Sequence, residues 1–146
     1  MLDKPEDISI LIVDDSTAIR KIVRQLLERV GISNIRDAED SIEALDRLKM
    51  APSDIAIVDY ELGTFTGVDF IRMLRTAKGS PAANMGLVLL TAHKSQDIED
   101  QACEAGADDF LTKPVSADKL KECLDNVLKH RATLDDSVDK GPAVYI

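Results

Sequence analysis

The chain has 146 residues, within the range of one compact domain that buries roughly 70% of its unfolded surface. Its 18 Lys and Arg against 27 Asp and Glu leave a net charge of −9, which repels a nucleic acid backbone and argues against direct DNA binding. No apolar run approaches the roughly 20 residues of a membrane helix, and "MLDKPEDIS" lacks the basic start and apolar centre of a signal peptide. A soluble, cytoplasmic protein without membrane insertion is therefore expected.

Taken in chain order, apolar runs of strand length alternate with amphipathic runs of helix length. A first strand is predicted at 8–13, "ISILIV", followed by a helix from Ser16 to about Val30 with Ile19, Ile22, Val23, Leu26, Leu27 and Val30 on one stripe and Gly31 as its stop. Arg20, Lys21 and Arg24 fall on its polar side, as a solvated face or a docking surface for a kinase. A strand at 34–38 leads to a helix at about 40–50, with Ile42, Leu45 and Leu48 inward and Pro52 beyond its end. A third strand at 54–59 precedes a helix that begins after Gly67 and buries Phe70, Ile71 and Leu74. The last two pairs are a strand at 85–90 with a helix at about 95–105 ended by Gly106, and a strand at 108–112 with a helix at about 116–130 carrying Leu120, Leu124, Val127 and Leu128. Cys103 and Cys123 lie in helical stretches without metal-ligand spacing and are read as packing residues.

The alternation predicts an α/β, doubly wound parallel sheet of five strands covered on both faces by five helices. Residues 1–130 form the domain; from 131 to 146 the periodicity is lost around a Gly-Pro break, so a flexible tail is expected, with the apolar "AVYI" at its end able to dock on the domain or a partner.

In such a sheet the strands point one way, so their C-terminal ends collect along one edge. The residues there are Asp14 and Asp15 after the first strand, Asp59 at the third, Thr91 after the fourth and Lys113 after the fifth. Carboxylates brought together repel one another and their pKa values rise unless a cation neutralises them. Oxygen donors of this kind suit Mg²⁺, which takes one or two carboxylates, keeps waters and adds a phosphate; Mn²⁺ would serve the same donors. An Asp carboxylate can itself accept a phosphoryl group, with a Lys pairing with one phosphoryl oxygen and a Thr hydroxyl donating to another.

Together, "VDD" at 13–15, "IVDY" at 57–60 followed by "GTFTGVDF", "LLTAH" at 89–93 and "AGADDFLTKP" at 105–114 resemble the receiver domain of bacterial two-component response regulators, in particular the single-domain chemotaxis type. The resemblance covers about residues 8–130. It implies a flavodoxin-like sheet of order 2-1-3-4-5, an order the general rule for doubly wound folds already illustrates with a chemotaxis receiver. It further implies that Asp59 is the phosphoacceptor, served by a histidine kinase or phosphotransfer protein. Asp14, Asp15, Asp59 and the backbone carbonyl of Glu61 would hold Mg²⁺, Thr91 and Phe110 would switch, Lys113 would pair with the phosphoryl group, and Lys113-Pro114 would be cis. The output would be a protein-binding surface on the fourth helix, fifth strand and fifth helix, read by a downstream protein target. Glu61 and His93, two positions after Asp59 and Thr91, stand where side chains affect the lifetime of the phosphoryl group.

Taken singly, each residue has a blander reading. Asp14 and Asp15 suit a helix N-terminus, Thr91 a strand end, Lys113 a solvated surface, Phe110 a core, and His93 and His130 an ordinary surface. It is the ordered set that outweighs them. Against a phosphoacceptor that turns over only its own phosphoryl group stand three alternatives: a phosphorylation-independent binding module, a carrier in a phosphorelay, and a phosphohydrolase. The last typically places D-x-D after the first strand, whereas here the pair is adjacent.

Overall fold

A computed structural model describes the backbone of residues 4–77, 79–80 and 82–145, and side chains through Leu134. The strands are β1 (Ser9–Val13), β2 (Asn34–Ala38), β3 (Ile55–Asp59), β4 (Gly86–Thr91) and β5 (Asp109–Thr112), and all four pairings are parallel in the order β2-β1-β3-β4-β5. Between them run α1 (Thr17–Arg29), α2 (Ser41–Met50), α3 (Gly67–Thr76), α4 (Gln96–Ala105) and α5 (Ala117–Tyr145). This is the expected doubly wound sheet with the expected strand order. A short 3₁₀ turn at Pro5–Asp7, which the sequence reading did not anticipate, precedes β1.

The alternation of side chains along each strand divides the apolar residues between two faces. Leu11, Val13, Ala56, Val58, Leu87 and Leu89 pack with Ala44 and Leu48 of α2, Phe70, Ile71 and Leu74 of α3, and Ala102 of α4. Their neighbours Ile10, Ile12, Ile55, Ile57, Val88 and Leu90 pack with Val23 and Leu27 of α1 and Leu120, Leu124 and Val127 of α5. β1, β3 and β4 are therefore covered on both sides, which is why they read as unbroken aliphatic runs.

Local signals set the helix starts. Ser16, Asp40, Thr66 and Ser95 accept N-terminal backbone N–H groups of α1, α2, α3 and α4, and Thr66 with Asp69 completes a capping box. Gly106 ends α4 at φ +107°, a left-handed position that a side chain would strain.

Three expectations need correction. Ile42, expected inward, is 72% exposed, because Ser41, Ala44 and Leu48 form the buried side of α2 and Ile42 lies about 100° around the helix from Ser41. Ile22, placed on the inward stripe of α1, is 49% exposed, and Val23 and Leu27 are the buried pair. The fifth helix does not stop near His130 but continues through Tyr145. The side chains of 135–146 lie outside the described residues, and with them the expectations for a flexible tail and for "AVYI".

At the edge of the sheet opposite the strand C-termini, Asp108 organises a second polar cluster. Its fully buried carboxylate accepts from the Arg75 guanidinium at 2.8 Å, the Leu87 backbone N–H at 2.8 Å and the Arg131 guanidinium at 2.7 Å, and lies 2.8 Å from His130 Nδ1. Arg75 also donates to the carbonyls of Gly106, Ala83 and Met85, so α3, β4, β5 and α5 are tied at one point. His130, expected as a plain surface residue, belongs to this cluster. Asp108→Ala leaves two partly buried guanidinium groups without their carboxylate and is expected to lower stability by about 3 kcal/mol, measured by urea unfolding.

Candidate functional site

Strand register builds the site. Val13 pairs with Val58 and Asp59 with Leu90, so the residues just past β1 stand beside the end of β3, and Thr91 one step further along β4. Thr112 pairs with Thr91, and the next residue, Lys113, donates its backbone N–H to the Thr91 carbonyl at 2.8 Å. The residues from four strand ends thus converge, as the sequence suggested.

Carboxylate oxygens of Asp14, Asp15 and Asp59 all lie within 4.8 Å of one another. Asp14 and Asp59 are 1% and 4% exposed, whereas Asp15 is open to solvent. The Lys113 ammonium stands 3.0 Å from Asp59 Oδ1 and 3.4 Å from Asp14 Oδ2. Asp14 Oδ1 accepts the Ser16 backbone N–H at 2.8 Å, but its buried Oδ2 has no hydrogen-bond partner. Three oxygen-only donors, one of them with a buried oxygen that makes no hydrogen bond, against a single neighbouring ammonium are chemically fit for a hard divalent cation.

The electrostatics follow from burial. Desolvation pushes the Asp59 and Asp14 carboxyls above the ordinary carboxylate range; Lys113 and, at Asp14, the Ser16 N–H oppose the rise only in part. Burial alone would lower the Lys113 ammonium, but its hydrogen bond to Asp59 and the fields of Asp14 and Asp59 outweigh that and hold it above its usual value.

The remaining expected residues line the rim or the neighbouring face. Thr91 is buried, and its hydroxyl accepts the His93 N–H at 3.1 Å and donates to the His93 carbonyl at 3.3 Å. It is engaged by its own turn, not by Asp59. Glu61 and His93 are exposed and face each other, His93 Nε2 lying 4.0 Å from the Glu61 carboxylate. Half-buried Phe110 packs against the α2–α3–α4 side of the core and lines, with Ala102, Cys103 and Ala107, a groove of about 300 Å³ between α4 and β5. The Lys113–Pro114 bond is cis. Cys123 is buried and its thiol is pushed up by desolvation, in keeping with a packing role, while Cys103 is exposed.

Gly67, expected only as the residue before the third helix, is the first residue of α3 and shapes the site. A Cβ there would sit 2.1 Å from the Asp59 carbonyl oxygen, so only glycine lets α3 start against the turn that follows Asp59, and the Gly67 N–H donates to the Tyr60 carbonyl. The signal was present in the T-x-x-D spacing of Thr66 and Asp69, a capping box that makes Thr66 the N-cap and Gly67 the first helical residue.

With this arrangement in view, comparison with known proteins is decisive. The family model of the response regulator receiver domain matches residues 10–125. The chain belongs to this family. The chemotaxis protein CheY-3 of Vibrio cholerae is 30% identical over 124 residues, spanning 85% of this chain and 94% of the relative. The chemotaxis protein CheY of Pseudomonas aeruginosa is 30% identical over 120 residues, spanning 82% and 95%. Among solved structures, the V. cholerae chemotaxis protein CheY4 superposes with a TM-score of 0.74 at 29% identity, covering 82% of this chain and 98% of that one. Among the described residues of this receiver domain, no helix is long and apolar enough to cross a membrane.

Two outcomes are expected from the geometry. Gly67→Ala should destabilise the receiver by about 1–3 kcal/mol in chemical denaturation, since the added methyl meets backbone that cannot yield cheaply. Because the folded state raises the Asp14 and Asp59 carboxyls, it favours their protonated forms. The resulting stability is fullest below the unfolded Asp value of about 4 and is lost as pH rises through the folded values. Asp14→Asn should therefore melt above the wild type at pH 7 in chelator, with the gap closing as the pH falls toward about 4 in a series of thermal melts.

Proposed function

We propose that this receiver is a Mg²⁺-dependent phosphoacceptor that takes a phosphoryl group on Asp59 from a phosphohistidine of a histidine kinase or phosphotransfer protein. The observation that carries the reading is the buried Asp59 carboxylate held 3.0 Å from Lys113 within a cluster of three carboxylates, in which Asp14 Oδ2 is buried without a hydrogen bond. Asp14, Asp15, Asp59 and the Glu61 backbone carbonyl would hold the cation. Bound there, Mg²⁺ would neutralise carboxylate and phosphoryl oxygens.

The Asp59 oxygen attacks phosphorus as the phosphorus–nitrogen bond of the donor breaks, and the imidazole leaves with the bonding electrons and takes up a proton. Lys113 already lies beside the attacking carboxylate and would follow the charge onto the transferred oxygens. Thr91 must exchange its contacts with His93 for one to the phosphoryl group. That turn frees space near the end of β4, toward which Phe110 can move, changing the surface of α4, β5 and α5 for a downstream protein target. Protein signalling of this kind is in keeping with the chemotaxis proteins among the relatives.

Incubation with acetyl phosphate and intact-mass measurement tests this. The wild type should gain one phosphoryl group only with Mg²⁺, and Asp59→Asn should gain none. A gain retained by Asp59→Asn would move the acceptor elsewhere. A folded wild type that gains no mass and binds no beryllofluoride would leave a phosphorylation-independent binding module.

A further inference from the structure

Arg20 sits on the side of α1 that its charge would assign to solvent, yet its side chain is only 14% exposed. Its Nη1 donates to the Asp14 backbone carbonyl at 2.6 Å, its Nη2 to Thr17 Oγ1 at 3.3 Å, and its Nε lies 3.5 Å from Asp37 Oδ2. That Nε is buried and makes no true hydrogen bond, so the contact to Asp37 is an ion pair without full geometry. Asp37 itself lies in β2, paired with Ile12 of β1, and Arg24 approaches the same carboxylate at 3.9 Å.

We propose that Arg20 is a positioning residue for the cation site: by bridging the Asp14 carbonyl to Asp37 it fixes the backbone between β1 and α1, and so aims the carboxylates of Asp14 and Asp15. The inference rests on the Mg²⁺ reading of the cluster above. The reason a clamp is needed lies in the cluster itself. Asp14 and Asp15 are adjacent in the chain and repel each other and Asp59, so without an external hold the turn relaxes by swinging the exposed Asp15 away. Asp14 Oδ1 is tied to the Ser16 N–H and its carbonyl to Arg20, so Oδ2, which has no hydrogen bond and only the Lys113 ammonium 3.4 Å away, is the oxygen turned toward the cluster. A lysine cannot reproduce this, because a single ammonium does not span two acceptors as a planar guanidinium does.

Charge alone predicts the opposite result, which makes the idea testable by sign. Removing a positive side chain near a dication site should tighten binding through the long-range field. Loss of an outer partner that orients the donors should weaken it, by about 10–100-fold. Titration of Mg²⁺ into the full chain by calorimetry should show Kd raised by about tenfold or more in both Arg20→Met and Arg20→Lys, with a smaller rise in Asp37→Asn. Thermal melts in chelator establish that each variant is folded, and Asp15→Asn marks the loss of a direct donor. Unchanged or tighter Mg²⁺ binding by a folded Arg20→Met overturns the clamp while leaving the site intact. A wild type that binds no Mg²⁺ overturns the site reading and the clamp together. Weaker binding in Arg20→Met but wild-type binding in Arg20→Lys overturns the bridging role in favour of a requirement for charge.

Discussion

Two buried carboxylates on neighbouring strands, with one ammonium between them, are the constraint around which this molecule is arranged. Asp14 and Asp59 meet because β1 and β3 are adjacent and in register at their C-terminal ends. Lys113 reaches both because β4 and β5 continue that register to the far side. Desolvation makes the assembly costly, so the rest of the fold must hold it in place rather than be held by it.

The two edges of the sheet solve opposite electrostatic problems. At the edge of the strand C-termini, negative charge exceeds positive and one buried carboxylate oxygen makes no hydrogen bond, an arrangement chemically fit for a cation. At the other edge, Asp108 is surrounded by Arg75, Arg131, His130 and a backbone N–H, and its carboxylate is fully satisfied. The satisfied cluster fastens α3 and α5 to β4 and β5, so the strands that carry Thr91 and Lys113 are anchored from behind. A folded chain can tolerate local strain in charge when such compensation lies elsewhere in the same sheet.

How legible each feature was depended on how local its cause is. The aliphatic runs of β1, β3 and β4 and the caps of α1 through α4 are written within a few residues, and they were readable or could have been. Asp59, Asp14, Asp15, Thr91 and Lys113 could be picked out because the sheet rule sends strand ends to one edge and because their order resembles a family. Arg20 was misassigned, since a charged residue on a helix face looks solvated until β2 supplies Asp37. Ile42 and Ile22 were misplaced because a stripe of apolar residues does not say how far around the helix the sheet reaches. Gly67 carries a demand that arises only when α3 starts against the Asp59 carbonyl.

The sequence by itself determined the alternation of strands and helices, the helix starts, and which polar groups stand at the strand ends, because these depend on periodicity and on short-range backbone preferences. Only the tertiary structure decided which carboxylates are buried, which oxygen lacks a hydrogen bond, and that Thr91 engages His93 while Arg20 donates to the Asp14 carbonyl. Those properties belong to pairs of residues brought together by sheet register and helix packing, and desolvation acts on a group only after its neighbours have closed over it.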